Sequence, residues 1–202
     1  MSLMEAAAPV LSPPGSGEPP RGILLWYRVM FRPDQAFAAW GDALPLTQAL
    51  AALFFVAACL AFSLAPAGLV PLASTFAVAL GWLLWGSLIV SAALFATGSL
   101  LGGRGAWQGL VAAVSFATLP LMLVGPACAW GLSGGQGPSW AALVGLIALL
   151  ACLRGLLAAL RGVMGLTGNQ ASLALLLAEL LLVAMPVLAG VLTLLTTALL
   201  VA

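Results

Sequence analysis

Five long apolar runs decide what this chain can fold into. In hydrocarbon no water satisfies a backbone N–H or C=O, so a segment that crosses must close its own hydrogen bonds, which a helix does in roughly 20 apolar residues. The runs extend from about Leu44 to Ala65, Leu72 to Leu101, Gly109 to Trp130, Trp140 to Leu160, and Ser172 to the C-terminus. They predict an all-α, polytopic transmembrane bundle of five spans. The second exceeds the minimum and is expected to tilt or to lie partly in the interface; the fifth is also overlong, and its Pro186 is expected to kink it or end its first half. Pro120 in the third run and Pro186 in the fifth are expected helix breaks, because proline lacks the N–H and crowds the preceding turn.

Composition excludes most other classes. Of 202 residues, 64% are hydrophobic and 5% charged, against about a quarter charged in ordinary globular domains. The cations are six arginines with no lysine, for a net charge of +1, so no broad basic face exists for nucleic acid. Histidine is absent, which removes the commonest general base near neutral pH and the commonest metal ligand. No catalytic residue, cofactor or metal site is assigned, and the chain reads as a non-enzyme. Cys59, Cys128 and Cys152 lie in apolar runs without a ligand-type spacing and read as packing thiols. GLSG at Gly131 to Gly134 spells the motif of rhomboid-type intramembrane proteases, but Ser133 would need a histidine to activate it. A flexible turn explains those residues better.

Residues 1–20 are rich in Pro, Gly and Ser without a signal-peptide pattern and are expected to form a disordered tail. Residues 21–42 carry Trp26, Tyr27, Phe31, Phe37 and Trp40 among arginines, which suits interfacial amphipathic helices. Pro33 fits a first helical position, and Asp34 then sits where the helix dipole favours an acid. Residues 43–202 form the five-helix domain. Arg21, Arg28 and Arg32 precede the first span, Arg104 follows the second and Arg161 follows the fourth, whereas the loops near Pro66 and from Gly131 to Ser139 are uncharged. The positive-inside rule then places the N-terminus in the cytoplasm and the C-terminus outside.

Two charges fall within the spans. Arg154 lies seven residues before Arg161, roughly 10 Å into the membrane at 1.5 Å per residue. Glu179 lies at a comparable depth on the next, antiparallel helix. A lone ion at the bilayer centre costs about 2.5–3.5 kcal/mol on insertion scales, so the two are expected to pair. The alternatives are a carboxylate lining a proton or ion path and a snorkelling or protonated side chain.

The segments, taken in order, resemble a known family. FRPDQAFAAW supplies a Pro-x-x-x-Phe step at Pro33 and Phe37, GGRGAW supplies a turn at Gly102, Gly103 and Arg104, and SFATLP places Pro120 within the third span. LRGVMGLTGNQA, with Arg161, Gly165 and Thr167, is similar to a Leu-Arg-x-x-x-Gly-Leu-Ser signature. This pattern resembles the Yip domain family of Ypt/Rab-interacting membrane proteins and their prokaryotic relatives, over about residues 30–202. The resemblance implies a five-helix bundle, and a role in vesicle traffic through prenylated small GTPases and membrane scaffolding. GGRGAW read instead as a phosphate-binding loop lacks the P-loop lysine and hydroxyl and joins two apolar spans; a tight cytoplasmic turn is the better reading.

The expected function is therefore a membrane scaffold or organiser, working through helix packing and through partner or anionic-lipid contacts on its inward face. A small transporter or channel component using Arg154 and Glu179, and an accessory subunit of a larger complex, are the alternatives. The expected partners are the bilayer itself, a membrane protein or a second copy, and, by the resemblance alone, a small GTPase. The Ala, Leu and Gly bias without lysine points to a GC-rich bacterial genome and so to the plasma (inner) membrane.

Overall fold

The computed structural model describes residues 22–40, 43–64, 69–133 and 138–201. The expected N-terminal tail lies outside these residues, as do the turn around Pro66 and the centre of the loop from Gly131 to Ser139. Among the described residues the helices are α1 (Ile23–Phe31), α2 (Pro33–Trp40), α3 (Leu46–Leu64), α4 (Leu69–Leu100), α5 (Trp107–Ala117), α6 (Val124–Ser133), α7 (Pro138–Met164) and α8 (Gly168–Val201), with a 3-10 segment at Leu119–Leu123. The protein is an all-helical membrane bundle. α3, α4, the composite α5 to α6 segment and α7 are long and apolar enough to cross. α8 follows them with a shorter apolar stretch, Gly168 to Ala184, in the place of the expected fifth span.

Apart from Arg154, Glu179 and, in the last turn of α7, Arg161, the long helices carry no charge along their apolar stretches, so the inside is marked by size. On α3, Ala49, Ala52, Leu53, Val56, Ala57 and Ala61 are buried at helical spacing, while Leu50, Phe54, Phe55 and Phe62 are exposed. α8 turns Ala171, Ala174 and Ala178 inward and Leu173, Leu176, Leu177, Leu180 and Leu181 outward. Lipid tails are as apolar as leucine, so helices gain little by hiding large side chains from them; small residues let backbones approach and increase dispersion contact. Buried hydroxyls are satisfied within their own helices: Ser91 Oγ donates to the Ser87 carbonyl at 2.6 Å, and Thr97 Oγ1 to that of Ala93 at 2.9 Å.

The two prolines behave differently. Pro120 cannot donate to the Phe116 carbonyl, and α5 gives way there to the 3-10 segment. Thr118 Oγ1 donates to the Ser115 carbonyl at 2.7 Å, and the Leu121 N–H to that of Thr118 at 2.9 Å, closing the break. Pro186 was expected to kink the last run or end its first half; the helix does not end there, and α8 continues through it to Val201. A proline's fixed φ is helical, and the loss of one backbone bond is tolerated in a membrane helix whose other bonds hold.

One end of the bundle gathers α1, α2, the start of α3, the 101–106 turn and the 165–167 turn. The Gly22 N–H donates to Gln48 Oε1 at 3.1 Å, and the Arg104 N–H to the Met164 carbonyl at 3.2 Å. Arg28, Arg32, Arg104 and Arg161 all lie in this region and are exposed, the distribution the positive-inside rule requires of a cytoplasmic face. At Gly105 the chain passes so close to α7 that a Cβ would fall on the Val163 carbonyl, whereas a Cβ at Gly81, inside α4, would meet nothing within 4 Å. Gly105→Ala is therefore expected to destabilise the protein by about 1–3 kcal/mol, and Gly81→Ala to be neutral or stabilising by up to about 1 kcal/mol. Thermal unfolding of the two variants in one detergent checks the contrast.

Candidate functional site

The arginine-bearing end is organised around α2. Phe37 is fully buried, and a Cβ at Gly162 of α7 would collide with the Phe37 carbonyl carbon, so only glycine allows this approach. α1 packs alongside with Leu25 and Val29 buried, and Trp26 lies 5.5 Å from Phe55 between ring centroids. Phe55 is nine residues into α3, or about 13 Å by the helical rise. The two short helices thus wedge into the bundle, leaving one side outward: Ile23, Leu24, Tyr27 and Phe31 are 81%, 64%, 59% and 56% exposed.

Charge follows from that placement. Arg154 Nη2 lies 3.4 Å from Asp34 Oδ2, and Arg161 Nη1 lies 3.9 Å from Asp34 Oδ1. The two arginines are seven residues apart, two turns on one side of α7, and Asp34 sits between them. The expected ion pair of Arg154 with Glu179 is not the one the structure makes. Docking of α2 along α7 brings Asp34 to Arg154 first, while Glu179 stands exposed on α8 without an ion-pair partner among the described residues. All three side chains of the Asp34 cluster are about half exposed or more, so each bridge contributes no more than about 1 kcal/mol.

The two turns are built as one unit. Gly102, at φ 90°, reverses the chain after α4, and the Gly103 N–H donates to the Gly98 carbonyl at 2.9 Å. Gly165, at φ 68°, ends α7, its N–H donating to the Arg161 carbonyl at 3.1 Å, the bond of a left-handed cap. Thr167 and Gln170 then start α8 as part of a capping box: the Thr167 N–H donates to Gln170 Oε1 at 3.0 Å, and the Thr167 hydroxyl to the same oxygen at 2.9 Å. Gln170 Nε2 reaches the Leu101 carbonyl at 3.3 Å, so one side chain ties both turns together. Arg161 lies over Gly168, where a Cβ would come 2.9 Å from its Nη2.

Between α1 and α2 runs an open groove of about 540 Å³, lined by Leu24, Tyr27, Arg28, Arg32, Gln35 and Trp40 among others. The Arg28 guanidinium carbon lies 5.5 Å from the Trp40 ring centroid, a cation–π contact that holds the charge at the groove wall. Of the residues singled out in the sequence, Gly102, Gly103, Arg104, Arg161 and Gly165 converge on this end, and Arg154 joins Arg161 through Asp34. Glu179 and Pro186 lie apart from it along α8, and Pro120 lies in the third span. Sequence reasoning missed Gln170, although Thr-x-x-Gln is the spacing of a capping box. Gly162, which reads in sequence as part of the turn with Gly165 and Gly168, lies inside α7 against Phe37; that contact and the pairing role of Asp34 depend on how α2 docks.

A family model described as the Yip1 domain matches residues 27–198. No curated protein and no solved structure matches the chain.

Gln170→Ala removes the cap of α8 and the bond to Leu101 together, and is expected to cost about 1 kcal/mol or more. Asp34→Asn loosens only half-exposed ion pairs and is expected to cost less than about 1 kcal/mol. Denaturation of both variants in the same micelle ranks them, and the reverse order would remove Gln170 from the centre of the turn unit.

Proposed function

Because the chain belongs to the Yip1 domain family, we propose that this multi-pass membrane protein is a scaffold or membrane organiser that acts through its cytoplasmic face. The observation that carries the reading is the α1–α2 wedge. Phe37 fixes it to α7 at Gly162, while its other side keeps Ile23, Leu24, Tyr27 and Phe31 exposed beside Arg28 and Arg32. Apolar side chains flanked by arginines suit the boundary between acyl chains and anionic headgroups, or a membrane partner with an acidic juxtamembrane segment. The family resemblance adds a prenylated small GTPase as a partner class, and composition favours a bacterial inner membrane as the address.

No chemistry is assigned. The described residues hold no cluster of metal-ligating side chains, and the groove is lined by groups that bind anions and apolar surfaces rather than by an acid–base pair. A transport role needs Glu179 on a polar path, whereas it stands on the exposed side of α8, one residue beyond the buried Ala178.

The test compares wild type with an Arg28→Gln, Arg32→Gln double variant, both purified from native membranes in mild detergent. Wild type is expected to retain anionic lipid or a membrane partner at a fixed ratio, and the variant to lose at least about tenfold of it, since each arginine near an anionic surface is worth about 1 kcal/mol, without a change in melting temperature. Equal retention by both proteins, together with solute flux in liposomes, would sink the scaffold reading.

A further inference from the structure

Glu179 is a carboxylate on the outer side of a spanning helix. It is exposed, it has no ion-pair partner among the described residues, and its neighbours Leu176, Leu177, Leu180, Leu181 and Val183 are exposed too. An ionisable group facing lipid is among the most costly placements in a membrane, and such groups are usually found paired. The same bundle holds the opposite surplus. Arg154 and Arg161 share one carboxylate, Asp34, which leaves one positive charge uncompensated among the described residues.

The two surpluses occupy the same flank. Arg161 and Gly168 are side by side, since a Cβ at Gly168 would lie 2.9 Å from Arg161 Nη2. Arg154 is seven residues from Arg161, two turns along the same side of α7. Glu179 is eleven residues from Gly168, three turns along the side of α8 that faces Arg161. At 1.5 Å per residue they stand about 10 and 16 Å in from that common level, a difference within the reach of an arginine side chain. Arg154 is 63% exposed and gives only Nη2 to Asp34, so guanidinium donors remain free.

We propose that this flank of α7 and α8 is the interface between two copies of the chain, with Arg154 of each copy paired to Glu179 of the other. A two-fold axis along the membrane normal keeps every residue at its depth and makes the interface self-complementary. A chain whose arginine surplus and unpaired carboxylate share a flank, at depths an arginine side chain can bridge, satisfies both by meeting itself. The contact is independent of the groove between α1 and α2, so Arg28→Gln with Arg32→Gln leaves it unchanged.

Differently tagged copies, co-expressed and captured in mild detergent, test it. Wild-type copies are expected to co-purify, and Glu179→Gln in both copies to cut co-capture by about tenfold or more, as the loss of two interhelical polar contacts predicts. The decisive arm mixes single variants. Arg154→Glu copies and Glu179→Arg copies should each fail to pair with themselves, yet pair with one another at the wild-type level, because the mixed dimer holds one native and one reversed pair. Restoration only when both substitutions are in the same chain, with none in the mixture, would show an in-chain pair and overturn the proposal. So would co-capture unaffected by Glu179→Gln. Because Arg154→Glu faces Asp34, size-exclusion monodispersity and melting temperature accompany each variant, and Glu179→Gln, which touches no described ion pair, carries the test if that variant does not fold.

Discussion

Close approach between backbones is the constraint on which the rest of this bundle depends. In water a helix is held by removing its large apolar side chains from solvent, and that drive is missing between helices already dissolved in lipid. Gly162 against Phe37, Gly105 against Val163, Gly155 against Ala117 and Gly125 against Leu60 are points where an added Cβ would press on a neighbouring helix. Alanine fills the positions between them. The positions of α2 and of the 101–106 turn both follow from these contacts.

From that packing comes the arrangement of charge. α2 seats at Gly162, and this places Asp34 between Arg154 and Arg161. The ion pairs are too exposed to drive the docking, so they follow Phe37 and fix the rotational setting of α2 once it is seated. The turns use the same economy of polar groups: Gln170 caps α8 and reaches Leu101 at the end of α4, so displacement of either turn disturbs the other.

Much of this was legible in the sequence where the signal was local. The four long apolar helices and their order followed from run length, the gathering of the arginines at one end from their places in the loops, and the disruption at Pro120 from the chemistry of proline. At Pro186 only the end of the helix failed to occur, because the same chemistry tolerates a proline when the flanking helix is long; α8 runs through it. The Arg154–Glu179 pairing misled for a different reason. Matched depth on adjacent helices is a one-dimensional criterion, and it does not register that α2 returns from elsewhere in the sequence with Asp34. A Gly162 that must be glycine because of Phe37, 125 residues away, has no local signature at all.

The scarcity of charge sharpens what each charged residue can specify. Where nearly every surface is leucine or alanine, apolar contacts discriminate weakly between one helix register and its neighbours, and a single polar pair separates them by more than any exchange of methyl groups. A carboxylate left facing lipid therefore carries more information here than it would on a soluble protein: almost any partner helix supplies leucines, but few supply a cation at the same depth. Glu179 is retained at a place where a leucine would insert more easily. That placement is intelligible as a device for selecting one neighbour, with the arginine it selects lying on α7 of the same sequence.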